Sequence, residues 1–165
     1  MQELVPLAER IGALLKARKE TVAVAESAAG GLISAALLAV PGASAYFIGG
    51  GVFYTRQALL TLRDMSPETY KGMRGASEPW ALMLAREQRA RSGASWGLSE
   101  CGAAGPTGNR YGDSSGHAWV AVIGAVERTR VVATASSDRV ANMYAFARAA
   151  LELFAEILDA QVAKG

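Results

Sequence analysis

The chain is short of the residues that most often carry reactive chemistry. It holds a single cysteine, Cys101, and a single histidine, His117. One cysteine excludes an internal disulfide and agrees with a reducing compartment, so a cytoplasmic location is expected. One histidine and one cysteine do not make a His/Cys metal cluster, and no metal is expected. Charge of one sign is also scarce: the net charge is only +2, with acids and bases interspersed. Arg86, Arg89 and Arg91 form a modest basic group that reads as a solvated helix face, so nucleic acid is not an expected partner. Apolar runs are broken by Gly, Ser or charge well short of a membrane span, so no membrane association is expected. Neither a GxGxxG fingerprint nor a Walker GxxxxGK[ST] is present, so no cofactor is expected. Residues 1–18 carry Glu3, Glu9, Arg10, Lys16 and Arg18 in an amphipathic pattern, which does not read as a secretory signal.

What remains is a globular pattern. The chain has 165 residues, 51% of them apolar and 19% charged, which is enough to bury a core as one domain over 1–165. Apolar periodicity predicts a helix over 2–18, a strand over 21–25 and a helix over 32–40 that stops at Pro41-Gly42. A strand is expected over 51–54, with Gly49-Gly50-Gly51 as a bend before it. Ser66-Pro67-Glu68 and Ser77-Glu78-Pro79 read as helix starts, the second opening a helix to about Arg91. Strands follow over 96–101, 118–123 and 129–135, the last two joined as a hairpin. Asp138 is placed to cap a final helix over 139–162. Helices alternating with strands argue for an α/β domain with a sheet covered on both faces.

Two glycine-rich turns follow strands. In Ala25-Glu26-Ser27-Ala28-Ala29-Gly30-Gly31 a serine and two glycines sit where a strand becomes a helix. Free backbone amides and a positive helix end there would favour an anion or a developing negative charge. The second turn, Gly102-Ala103-Ala104-Gly105-Pro106-Thr107-Gly108, is either a phosphate cradle or a plain connection. Ligands in open α/β sheets sit beyond the carboxyl ends of strands, so both turns can face one crevice. Taken alone, Ser27 reads first as a helix cap, Tyr54 as a buried aromatic with one hydrogen bond, and Glu26 as a tie between loops. His117 is the one base available to a serine triad, and its place at the start of an apolar strand argues for a structural role.

The chain resembles the CinA C-terminal domain family. Ala25-Glu26-Ser27-x-x-Gly30-Gly31 is similar to the family's Ala-Glu-Ser-Cys-Thr-Gly-Gly block. Ser44-Ala45-Tyr46-Phe47-x-Gly49-Gly50-x-Val52-x-Tyr54-Thr55, Ser77-Glu78-Pro79, Gly102-x-Ala104-Gly105-Pro106-x-Gly108 and Asp138-Arg139 match further blocks in order. The resemblance implies a three-layer α/β/α sandwich with a mixed sheet. It also implies self-association into a homo-oligomer, and the nicotinamide mononucleotide deamidase activity of the family's stand-alone members. The small molecule would be a pyridine nucleotide. Ser27 and Tyr54 take the catalytic positions. Glu26, Gly30, Gly31, Thr55, Arg56, Gly102, Ala104, Gly105, Pro106, Gly108 and Arg139 take substrate-binding ones. Backbone donors at the turn would suit the oxyanion formed at the amide carbon.

The match departs from the family at its presumed site. The family lysine falls at Leu59, which can neither accept a proton nor carry charge, and the family asparagine falls at Arg56. The Cys-Thr pair becomes Ala28-Ala29, and the last helix has Asn142-Met143 where the family has valine and arginine. Two functions follow: an amide hydrolase that turns over without the lysine, or a degenerate paralogue that binds a nucleotide or a protein partner without turnover.

Overall fold

The computed structural model describes residues 1–162; the last three residues of the domain expected over 1–165 lie outside them. Strand β1 (Val22–Glu26) is buried at every position and therefore takes the middle of a sheet. It pairs in parallel with β2 (Phe47–Val52) on one side and β3 (Trp96–Ala103) on the other. β4 (His117–Ile123) and β5 (Glu127–Ala133) continue antiparallel from β3 as a hairpin, giving the five-stranded order β2-β1-β3-β4-β5. The sheet is mixed, as the resemblance implies.

Alternation along the strands assigns the faces. Val22, Val24, Trp96, Leu98, Val120 and Val122 face a core shared with α1 (Val5–Arg18), α2 (Leu32–Leu38) and α5 (Arg139–Val162). Ala25, Cys101, Ala121 and Ile123 face the opposite way, onto Trp80, Ala81, Leu84 and Ala85 of α4 (Glu78–Ser92). The result is three layers, helices on both sides of the sheet. Among the described residues, no helix is long and apolar enough to cross a membrane.

Two local expectations change, and one short helix is added. Gly49-Gly50-Gly51 is not a bend before a strand but the body of β2, with Gly50 opposite Val24 of β1. A Cβ on Gly50 would lie 2.0 Å from Ser34 Oγ, so the glycine lets α2 settle directly on the strand. Residues after Tyr54 form a short helix, α3 (Arg56–Thr61), started by the Thr55 hydroxyl accepting from the Ala58 amide. Ser66-Pro67 opens only a single 3₁₀ turn, Pro67–Tyr70. The cap on α5 is as expected: Asp138 Oδ1 accepts from the Ala141 amide at 3.0 Å.

A cationic pocket at the strand switch point

The chain leaves β1 toward β2 on one side and returns to β3 on the other. The crevice beyond the carboxyl ends of β1 and β3 is thus the sheet's switch point, the place where open α/β sheets hold ligands. A cavity of about 480 Å³ opens there. Ser27 enters it from the end of β1, Gly102 and Cys101 from β3, and Phe53, Tyr54, Thr55 and Arg56 from the segment after β2. Gly75, Ala76 and Trp80 come from the approach to α4, and Asn109, Arg110 and Tyr111 from the loop after β3. Asn109, Arg110, Tyr111 and Trp80 were not singled out as site residues from the sequence: Asn109 and Trp80 adjoin quoted blocks without belonging to them as written, and Arg110 and Tyr111 lie in no block.

Ser27 is half-buried, and its hydroxyl has no hydrogen-bond partner among the described residues. Its amide donates to Glu100 Oε2 at 3.1 Å, and the Ala29 amide donates to the same oxygen at 2.8 Å. Glu26 takes the next amides: Oε2 accepts from Gly31 and Ile33, and Oε1 from the amide and hydroxyl of Ser34. Gly30 donates to the Ser27 carbonyl. The amides expected to wait for a ligand anion are therefore filled by two of the chain's own carboxylates. Within residues 27–31 the Ala28 amide alone donates to no described residue.

Glu100 is wholly buried, and its Oε1 has no hydrogen-bond partner. Burial pushes its pKa up to about 7; the Ala29 and Ser27 amides oppose that rise, and the neighbouring Glu26 charge adds to it. Burial also holds the Cys101 thiol well above its ordinary range, so it is no nucleophile at neutral pH. Tyr111 moves the other way: the Arg110 guanidinium donates to its hydroxyl at 2.9 Å and eases loss of its proton.

Tyr54 is exposed, and its hydroxyl accepts from Arg139 at 3.0 Å. Arg139 also donates to the Gly105 carbonyl, tying the second glycine turn to Tyr54. Arg56 donates to the Met73 carbonyl at 2.8 Å. Five of the residues named from the resemblance line the cavity together: Ser27, Tyr54, Thr55, Arg56 and Gly102. Glu26, Gly30, Gly31, Ala104, Gly105, Pro106, Gly108 and Arg139 are not in its lining. The glycine turn packs on its own loop: a Cβ on Gly105, at φ +109°, would meet Ser115 Oγ at 2.3 Å, and the Ala104 carbonyl accepts from Asn142.

His117 does not meet Ser27. Its Nε2 lies 3.2 Å from the Ala76 carbonyl and 3.8 Å from Asp113, so no serine triad forms. Leu59, where the family lysine falls, is 1% exposed and packed with Met65, Tyr70 and Trp80 under the cavity floor. No cluster of three or more metal-ligating side chains occurs among the described residues.

The model of the CinA C-terminal domain matches residues 4–158. This chain belongs to the CinA C-terminal domain family. A CinA-like protein of Desulfosudis oleivorans is 37% identical over 147 residues, covering 88% of this chain and 36% of that protein. One of Chloroherpeton thalassium is 35% identical over 160 residues, 94% of this chain and 38% of that protein. The chain thus spans little more than a third of the length of these CinA-like relatives. In structure it is similar to the competence/damage inducible protein CihA of Agrobacterium tumefaciens, with TM-score 0.85 and 28% identity over 95% of this chain and 96% of that one. A CinA superfamily protein of Klebsiella pneumoniae matches with TM-score 0.86 and 25% identity over 94% of this chain and 98% of that one.

Proposed function

We propose that this CinA-type domain is a pyridine-nucleotide amidohydrolase, converting nicotinamide mononucleotide and water to nicotinic acid mononucleotide and ammonia. The observation that carries the reading is the convergence of Ser27, Tyr54 and Arg56 on one cavity at the switch point. The cavity has the size of a small-ligand site. Ser27 Oγ attacks the amide carbon or orients the water that does. The donor left for the developing oxyanion in residues 27–31 is the Ala28 amide, which donates to no described residue, on a buried residue next to Ser27 in the chain. The Tyr54 hydroxyl, held by Arg139, positions the substrate. Its phosphate is left to a guanidinium of the lining, because the amides of residues 27–31 other than Ala28 are engaged by Glu26, Glu100 and the Ser27 carbonyl. Self-association in solution belongs to the same proposal, as an expectation from the family.

A second reading, ligand binding without turnover, is favoured by one observation: no base is hydrogen-bonded to Ser27 Oγ among the described residues, and Leu59 stands where the family has lysine. General acid–base assistance is worth about 10²- to 10⁴-fold, so an active chain should be slower than a lysine-containing relative by roughly that factor. Ammonia release from nicotinamide mononucleotide, measured beside such a relative, tests the two. Turnover abolished by Ser27→Ala supports the hydrolase. No turnover with the relative active leaves the binding reading.

A further inference from the structure

The aromatic walls of the cavity are already occupied by the chain's own cations. The Arg56 guanidinium stands 5.1 Å from the Trp80 ring centroid and 5.5 Å from that of Tyr70. Arg110 stands 5.0 Å from Tyr111, with Arg74 at 5.9 Å from the same ring. Arg139 stands 5.8 Å from Tyr54. Each of the three polar aromatic rings in the lining thus has a guanidinium beside it, Arg56 near the Trp80 ring and Arg110 and Arg139 hydrogen-bonded to the hydroxyls of Tyr111 and Tyr54. An aromatic face attracts a cation through its quadrupole, and a guanidinium in place both fills that face and repels a second positive charge. The lining includes Arg56 and Arg110 and no acidic residue. The closest carboxylate on that loop, Asp113, is engaged by Arg74 and Asn109.

A guanidinium has five donors in a planar fork. Arg56 lines the cavity, and its guanidinium gives one nitrogen to the Met73 carbonyl. The fields of Arg56 and Arg110 overlap at the Tyr111 hydroxyl, where both favour loss of the proton. A nicotinamide ring in a mononucleotide is a pyridinium cation with a neutral amide. The corresponding acid carries a carboxylate on the same ring and can accept from a guanidinium fork.

We infer that Arg56 makes this a pocket selective for an aromatic nucleotide whose ring bears an anionic substituent, so that the carboxylate form of a pyridine nucleotide binds more tightly than the amide. The inference rests on the reading that the cavity takes a pyridine nucleotide. For a hydrolase it means a site that holds its product more firmly than its substrate. For a binding protein it names the ligand class.

The test is titration calorimetry of the full chain carrying Ser27→Ala, so that no turnover competes, with nicotinic acid mononucleotide and nicotinamide mononucleotide. The acid is expected to bind on the order of tenfold more tightly at low salt, with the difference shrinking as salt rises. Adding Arg56→Gln should bring the two affinities within about twofold, while Arg56→Lys should keep part of the preference because it keeps the charge. Melting curves show whether each variant is folded, and the salt dependence needs no Arg56 variant at all. Equal affinities, a tighter amide, a preference that survives Arg56→Gln in folded protein, or binding of neither ligand would overturn the inference. Ammonia release without the preference would overturn it and leave the proposed hydrolase standing. The preference without ammonia release would do the reverse.

Discussion

Ser27 and Glu100 are joined through the backbone, the serine amide donating to Oε2 of a carboxylate that has no access to solvent. The residue at the centre of the candidate site is thus held by an acid from the neighbouring strand. That acid is one rung beyond the Ala25–Ser99 pair of the parallel β1–β3 ladder. Its partner on β1, Glu26, holds the other end of the same turn.

The first prediction concerns pH. A carboxyl that titrates at about 7 when folded and near its ordinary 4.5 when unfolded binds more protons in the folded state between those limits. Its contribution to stability is therefore most favourable at low pH, falls as pH rises from about 4.5 to 7, and is flat above. Urea denaturation of the wild type and of Glu100→Gln across pH 5 to 8 isolates this slope. The difference between the two should change by an amount on the order of 3 kcal/mol at most over the full range. Parallel curves would show that Glu100 does not titrate there.

The second prediction is for Glu26. Its two oxygens, themselves on a fully buried side chain, satisfy three amides and a hydroxyl at the start of α2, the Ile33 amide buried and the others part-buried. Glu26→Ala leaves those donors unpaired and should cost on the order of 3 kcal/mol, read as a lower urea midpoint with an unchanged slope. Ser34→Ala removes one of the four bonds and should cost about 1 kcal/mol.

Leu59→Lys tests whether the site can be restored by one substitution. Leu59 is packed under the cavity with Met65, Tyr70 and Trp80 and does not line it. A lysine there must bury its charge or drag α3 outward, and should destabilise the chain by about 3 kcal/mol or more without raising ammonia release. Leu59→Ala should cost about 2–5 kcal/mol through the cavity it leaves. A folded Leu59→Lys chain with new activity would show that α3 can turn this position toward the cavity.

Gly50→Ala should destabilise by about 1–3 kcal/mol, because the added methyl runs into Ser34 Oγ, which is itself held by Glu26. Combining it with Ser34→Ala should recover part of the loss, because the nearest clashing atom is then gone. A simple sum of the two losses in thermal melts would argue against the contact.

Particular residues show how far the sequence carried. The strand expected over 21–25 and found at 22–26 was legible because a short Val-rich run bounded by polar residues has few other uses. The hairpin β4–β5 and the Asp138 cap were legible for similarly local reasons. Gly49-Gly50-Gly51 misled because glycine normally weakens a strand, and only the helix lying on β2 explains why side chains are absent there. At the candidate site, Ser27 was named from its strand-to-helix turn, Tyr54 from a family block, and Arg56 from the place where the family has asparagine. Arg110 and Tyr111 were not, since they lie beyond any quoted block, and Trp80 was passed over although it directly follows Ser77-Glu78-Pro79.

By itself the sequence determined the layered α/β class and the strand-to-helix turn at Ser27, because apolar period and turn chemistry are local properties. It also excluded a His/Cys metal cluster of its own and a nucleotide fingerprint, because those need residue types or spacings the chain lacks. Only the tertiary structure decided what fills the turn. The amides that look free in sequence are taken by Glu26 from β1 and Glu100 from β3, a contact set by strand order. Only the fold, too, set guanidinium groups beside Trp80, Tyr111 and Tyr54, since these pairings join segments whose meeting depends on how the loops close over the sheet.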